Sequence, residues 1–265
     1  MAAVDPQRSL DLLRPEVDAL NRDIAAVTPE QWQAPSNCAG WQVADLVAHV
    51  VRNGWSMLTF VQRALAGDPT PAFGAAAADL QEQIKAAGPA AGAERQARET
   101  AEFLDLVRGL APSDMSKEGV HPQGARTITW ACTQRLAEAS FHHWDLRRSL
   151  GYEGPLEPEL AAQLLPFMLE PRGSNIMTKA PQGTAAETFR LRSTDDGQAW
   201  RITVGSGGRR VEPEADGPAG LEVAGESGWL ALLLYGRVPL DGSRFEVSGP
   251  AEAADRFRAC FGCPA

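Results

Sequence analysis

The stretch Trp41-Gln42-Val43-Ala44-Asp45-Leu46-Val47-Ala48-His49-Val50 opens a run that reaches Leu65 without a proline. Val43, Leu46, Val47 and Val50 recur at three- and four-residue steps, the period of a helix that buries one face. Gly67-Asp68-Pro69 ends it. Three segments of the same kind lie around it. Leu10, Leu13, Val17, Leu20, Ile24 and Val27 predict a helix over 8–27. Ala101, Phe103, Leu104, Leu106, Val107 and Leu110 predict another over 94–110, closed by Ala111-Pro112. The span 127–150, ended by Gly151, predicts the last. Thr28-Pro29-Glu30-Gln31 combines an N-cap hydroxyl, a proline at the first helical position and a capping-box glutamine, so a short helical turn starts there. Four long helices joined by loops predict a bundle over residues 1–155. The Ala- and Gly-rich span 66–93 adds only a thin helix over 80–87.

After residue 155 the pattern changes. Residues 156–186 are punctuated by proline and predict a linker with one helix over 157–169. Residues 188–192 and 199–204 are short strands flanking Asp195-Asp196-Gly197, the signature of a hairpin. Further strands at 221–223 and 244–247, an apolar helix at 227–235 and a closing helix at 251–261 complete a small α+β domain over 187–265. The fold class is therefore α+β in two domains. Gly205-Ser206-Gly207-Gly208 lacks the Lys-Ser/Thr and the following helix that a nucleotide site requires.

Composition narrows the function. With 44% hydrophobic and 22% charged residues over 265 positions, the chain is globular rather than disordered. The net charge of −9 is spread along the chain without a Lys/Arg stripe, which argues against nucleic acid or an anionic membrane surface as partner. The longest apolar run, Trp229 to Tyr235, is far short of the roughly 20 residues a membrane span needs. The start of the chain shows no basic segment followed by an apolar one, and four cysteines are few for this length. The expectation is a cytoplasmic protein with reduced thiols.

All four histidines, His49, His121, His142 and His143, precede residue 144. His49 borders the apolar face of its helix. Glu138 and His142 are four apart and stack on one face of theirs, with Arg135 and Asp145 extending the stripe. His49, Glu138 and His142 together make two imidazoles and one carboxylate, the ligand count of a divalent site with open positions. Hydrogen-bonded border histidines explain the same spacing. Asp45, four before His49, and Asp145, three after His142, are either acids that orient a ligand imidazole through its other nitrogen or solvated helix residues. His143 faces about 100° away from His142 and reads as packing or surface. Trp41 and Trp144 read as core aromatics, Cys38 as a buried thiol. Cys260 and Cys263 have a redox-like spacing but no second cysteine pair, which excludes a structural zinc site.

Cys38-Ala39-Gly40-Trp41-Gln42-Val43-Ala44-Asp45-Leu46-Val47-Ala48-His49, taken with Glu138-Ala139-Ser140-Phe141-His142-His143-Trp144-Asp145-Leu146 and Gly151, resembles the mycothiol-dependent maleylpyruvate isomerase family of the DinB-like superfamily. The later half is similar to that family's sterol-carrier-like domain, with Gly236-Arg237 after an apolar helix and a late strand ending in Ser248-Gly249. The resemblance implies a DinB-like four-helix bundle that holds a divalent metal, most often zinc, through His49, Glu138 and His142. It implies mycothiol or a similar thiol as cosubstrate, its sulfur held by the metal as thiolate to attack a small electrophile. An isomerase then expels the thiol; a transferase leaves it on the product. Arg237 matches the family's second-domain arginine, a catalytic residue suited to a carboxylate or the polar part of the thiol. Two other functions fit the same residues: a noncatalytic small-molecule or lipid-binding protein, and a hydrolase using metal-bound water.

Overall fold

Helix α1 (Pro6–Ala25) begins where the Asp5 carboxylate accepts the Gln7 amide and a proline takes the first turn. The expected turn follows as α2 (Pro29–Trp32), whose Thr28 and Gln31 cap each other reciprocally. Next come α3 (Val43–Ala66), α4 (Ala75–Ala87), α5 (Pro89–Arg108), α6 (Pro112–Met115), the hairpin β1 (Glu118–His121) and β2 (Gly124–Thr127), and α7 (Ile128–Ser149). The computed structural model describes residues 4–72, 74–122, 124–170, 186–205, 208–213 and 217–261. Cys263 of the cysteine pair lies outside them.

The four long helices α1, α3, α5 and α7 pack in the cyclic order α1-α7-α3-α5, so each touches two others. Of the 22 residues of α7, 16 are buried, which puts its polar side chains inside the bundle rather than on a solvated face. The thin helix expected over 80–87 is longer, because α4 rests Ala77, Leu80 and Ile84 on the bundle. The β1–β2 hairpin and α6 went unanticipated, since four-residue elements carry too little periodicity to be read. Gly119 lets the hairpin lie on α3: a Cβ there would come within 2.8 Å of the Phe60 ring.

The second unit starts at Pro155. It holds α8 (Pro158–Leu169), β3 (Glu187–Ser193), β4 (Ala199–Gly205), β5 (Gly208–Pro213), β6 (Leu221–Gly225), α9 (Ser227–Leu234), β7 (Glu246–Ser248) and α10 (Ala251–Phe261). The helix α8, placed in a linker by the sequence reading, packs on α9. The strands form one sheet in the order β5-β4-β3-β6-β7, antiparallel except for the β3–β6 pair. Alternation decides its two faces. Phe189, Leu191, Trp200, Ile202, Leu221 and Val223 are buried, with Phe189 meeting the Phe257 and Phe261 rings of α10 at 5.4 and 6.0 Å. Arg190, Arg192 and Glu222 pair on the opposite face. The strand expected at 244–247 is shifted to Glu246–Ser248, and β5 was missed because this edge strand, rich in Arg and Glu, lacks an apolar alternation. The chain is thus α+β in two units, a four-helix bundle and a sheet packed with helices. Among the described residues no helix is long and apolar enough to cross a membrane.

Asp195 ties the β3–β4 turn to the start of α9. Its carboxylate accepts from Ser193 Oγ at 2.7 Å and from both the amide and the hydroxyl of Ser227 at 2.8 Å. Burial alone would raise its pKa, but these donors outweigh it and hold the carboxyl below its ordinary value of 3.8. The sign follows from a depressed folded value: the contribution is complete above the unfolded pKa and is lost as pH falls through the folded one. Asp195→Ala is expected to destabilise the second unit by about 1 kcal/mol at pH 7. The gap from wild type should narrow as pH falls below about 4. Urea denaturation at pH 7 and pH 3 checks both; a gap as wide at pH 3 as at pH 7 would show that the charge is not what acts.

Candidate metal centre

The loop before α3 is folded back by Gly40, whose φ of +78° needs a glycine, and by the bonds Ser36 N–H to Trp41 O and Val43 N–H to Ala34 O. This places Cys38 and Trp41 beside the start of α3 and against α7. At the seventh residue of α3, His49 faces Glu138 and His142 of α7. His49 Nε2 lies 3.3 Å and His142 Nε2 3.5 Å from Glu138 Oε2, and the two rings meet edge-on with centroids 4.7 Å apart. The structure thus brings together the three residues singled out as ligands, with one donor atom of each within 4.8 Å of the other two. Trp41, expected in the core, is instead half-buried against both rings, at 5.0 Å from His49 and 6.3 Å from His142.

Around these donors sits a set of orienting groups. Asp145, fully buried, takes His142 Nδ1 at 3.0 Å through Oδ2, while its Oδ1 accepts from Asn37 Nδ2 at 2.8 Å. Cys38 Sγ donates to the same Oδ2 at 3.3 Å, so this thiol is half-buried and engaged rather than a packed core residue. Cys38, His142 and Asp145 form a second group of close donor atoms. Gln134, one turn before Glu138, donates to Oε1 at 2.9 Å and leaves Oε2 to the imidazoles. Asp45 does not orient His49. As the third residue of α3 it caps the Gln42 amide at 3.0 Å and pairs with Lys85 of α4 at 2.9 Å. The Nδ1 of His49 instead faces Arg52 Nη2 at 3.0 Å.

The electrostatics match this geometry. Burial would push the Glu138 carboxyl up, but hydrogen bonds from His142 and His49 outweigh it and hold it far below the carboxylate range. Burial opposes charge on His142 too, and its bonds to Asp145, Cys38 and Glu138 prevail, keeping it protonated well above the usual pH. His49 is pulled down, chiefly by burial. Deeper in the bundle, Arg135 is fully buried and burial lowers its pKa to about 10. Its Nη2 donates to Thr100 Oγ1 at 3.3 Å, and Gly54 gives it room, since a Cβ there would stand 3.1 Å from that nitrogen.

The remaining predicted residues lie elsewhere. His143 is off the centre, as its direction on α7 implied, but it is more than packing: Nδ1 meets Glu16 at 2.8 Å and Nε2 meets Asp23 at 2.9 Å, both on α1. Trp144 is a core residue whose indole N–H donates to Gly154 O at 2.9 Å. His121 meets the Trp130 ring edge-on, and burial lowers its pKa to about 4. Arg237 belongs to the second unit, with its guanidinium 4.7 Å over the Tyr235 ring. Sequence reasoning missed Arg52 and Gln134, although the helical spacing of Arg52 from His49 and of Gln134 from Glu138 was open to view.

The donor set suits a divalent cation on its own evidence: a carboxylate kept ionised in a buried setting, and a histidine whose second nitrogen is held by a carboxylate so that Nε2 points at the other donors. A family model described as the mycothiol maleylpyruvate isomerase N-terminal domain matches residues 13–147. Two crystal structures of the mycothiol-dependent maleylpyruvate isomerase, one of a point mutant, are 17% identical to this chain, cover 92% of it and 93% of their own length, and superpose with TM-scores of 0.65 and 0.66. YfiT from Bacillus subtilis, described as a probable metal-dependent hydrolase with an unusual four-helix bundle topology, is 16% identical with a TM-score of 0.50 over 58% of this chain and 91% of its own. At such identities these likenesses speak for the fold alone. No curated protein sequence matches the chain.

Proposed function

The chain belongs to the family of the mycothiol maleylpyruvate isomerase N-terminal domain, and from that premise we propose that it is a metal-dependent isomerase that uses mycothiol, or a thiol like it, on a small electrophilic alkene. The observation that carries this reading is the convergence of His49, Glu138 and His142, with Asp145 facing Nδ1 of His142. These three side chains would hold the cation, zinc by the character of the nitrogen and oxygen donors, and it would supply the Lewis acidity that keeps a thiol ionised near neutral pH.

The chain's own groups do the rest. Asp145, braced by Asn37 and Cys38, keeps the proton of His142 on Nδ1. Gln134 keeps the Glu138 carboxylate turned toward the imidazoles, and Trp41 shields the two rings from water on one side. In the reaction the thiolate adds to one alkene carbon and the electron pair moves onto the conjugated carbonyl. The former double bond rotates, the pair returns, and the thiolate is expelled unchanged with the trans alkene. Arg237 is our assignment for gripping an anionic group in the second unit.

The test is metal analysis of the dialysed protein together with maleylpyruvate isomerisation in the presence and absence of mycothiol. About one zinc per chain is expected. Turnover should require the thiol, vanish after chelation and return with zinc. A protein that takes up no metal when incubated with zinc, or that turns over equally without thiol, would overturn the proposal.

A further inference from the structure

We infer that the second unit carries a binding site for a neutral polyhydroxylated ring of the sugar class, at the N-terminal end of α9. The site is a cavity of about 300 Å3 whose lining includes Thr194, Gly225, Glu226, Trp229, Arg244 and Glu246. It lies at the opposite end of α9 from Arg237, and it does not depend on the metal reading. Its walls are fixed by local contacts. Gly225, the last residue of β6, has no room for a side chain, because a Cβ there would stand 2.8 Å from the Phe245 ring and 3.1 Å from Arg244 O. The Thr194 amide donates to Gly225 O at 3.0 Å. Asp241 holds the remaining wall: Oδ1 accepts the Ser243 amide at 3.0 Å and Oδ2 accepts Arg244 Nη1 at 2.6 Å, with the guanidinium set 5.0 Å over the Trp229 ring.

The groups that line this cavity and are not used up by the fold are mixed in character. Glu226 is exposed at the N-cap of α9, yet its carboxylate caps nothing and has no ion-pair partner among the described residues. Glu246, also exposed, pairs among them only with Arg192 Nη2, at 3.5 Å. The Thr194 hydroxyl and the Trp229 indole N–H have no hydrogen-bond partner among the described residues. Two carboxylates beside one arginine that is already paired repel an anion. A cation would compete with Arg244 for the Trp229 ring. An acyl chain would cover these polar groups without pairing them. A neutral ring bearing hydroxyls meets none of these costs: its O–H groups donate to the carboxylates and accept from the hydroxyl, the indole and the guanidinium, and its C–H face covers the part of half-buried Trp229 that Arg244 leaves open. The volume stands at the lower end of the roughly 300–1,000 Å3 of small-molecule sites, which suits a mono- or disaccharide.

The test is saturation-transfer NMR of the full chain with glucose, galactose, mannose, N-acetylglucosamine and maltose, and with acetate and methylammonium as charged probes. At least one sugar should receive saturation on its ring protons, saturably at millimolar concentration, and should shift the amide signals of Thr194, Glu226 and Ser243. Glu226→Ala should weaken that binding about 3- to 10-fold while β3 and β6 keep their amide protection. Trp229→Leu, which keeps an apolar side chain on α9, should abolish it. Chelation of metal should leave it unchanged. No transfer to any of the sugars, or tighter binding of acetate or methylammonium at the same amides, overturns the inference. So does sugar binding that leaves those amides unshifted, that persists undiminished in Glu226→Ala, or that is lost with the metal. A protein that takes up no zinc and still binds the sugar overturns the metal reading alone.

Discussion

Glu138→Gln is expected to abolish both metal retention and thiol-dependent turnover, and to lower the stability of the bundle at the same time. Glutamine keeps the size and one carbonyl oxygen but removes the negative charge that both His49 and His142 face. The same charge also attracts Arg135, which lies fully buried one turn away on α7, and Arg52 on α3. Without it, cationic and hydrogen-bond-donating groups face one another inside the bundle. Breaking a buried charge network in this way costs about 3–5 kcal/mol. The metal would lose an anionic ligand, which a neutral amide oxygen does not replace. Metal analysis after dialysis and urea denaturation of the metal-free protein read the two losses separately. Glu138→Asp keeps the charge while withdrawing it by about one methylene, so it should retain more stability than metal. Metal content equal to wild type in Glu138→Gln would remove Glu138 from the donor set.

How far the centre could be read from sequence depends on the range of each interaction. That His49, Glu138 and His142 meet was legible because Glu138 and His142 are one turn apart and His49 borders an apolar face; helical geometry alone brings such residues to one seam. Asp45 and Asp145 looked alike in sequence, yet only Asp145 orients a histidine. Asp45 stands three residues into α3, where the unpaired Gln42 amide competes for its carboxylate, and Lys85 from α4 completes the diversion. Asp145 sits near the C-terminal end of α7 with no free amide to cap, and it is sealed from water, so His142 one turn away becomes its partner. The spacing that marks a capping box was the signal that separated the two. Cys38 could not be read this way. Its bond to Asp145 spans 107 residues and exists because the Gly40 turn folds the loop over α7. The clamp on His143 by Glu16 and Asp23 is likewise a product of α1 packing against α7. The edge strand β5 and the β1–β2 hairpin are defined by backbone pairing, which leaves little trace in side-chain pattern.

In the second unit Gly228→Ala should destabilise strongly, against the direction helix propensity suggests. Gly228 is the second residue of α9, and in an exposed helix alanine would gain about 1 kcal/mol over glycine. Here a Cβ would stand 2.1 Å from Leu156 O, 2.9 Å from Pro155 Cβ and 3.0 Å from Leu156 N. Two of these are backbone atoms, so no rotamer change relieves the overlap; either α9 or the 155–156 segment must retreat. Retreat of α9 would open the contacts of Leu230, Leu232, Leu233 and Leu234, each at most 1% exposed. Overpacking of this kind costs up to about 3 kcal/mol, more than the propensity gain. Gly242→Ala is the control, because its Cβ meets nothing within 4 Å. Amide exchange of β3 and β6 should accelerate in Gly228→Ala and not in Gly242→Ala, while α3 and α7 keep their protection and the protein keeps its metal. Unchanged exchange in β3 and β6 would show that the close approach at Leu156 is not a constraint. If the metal is retained and thiol-dependent turnover is nonetheless lost, the bundle by itself does not suffice for the reaction. The contribution assigned to Arg237 then becomes a requirement that Arg237→Ala, in an otherwise stable second unit, should reproduce.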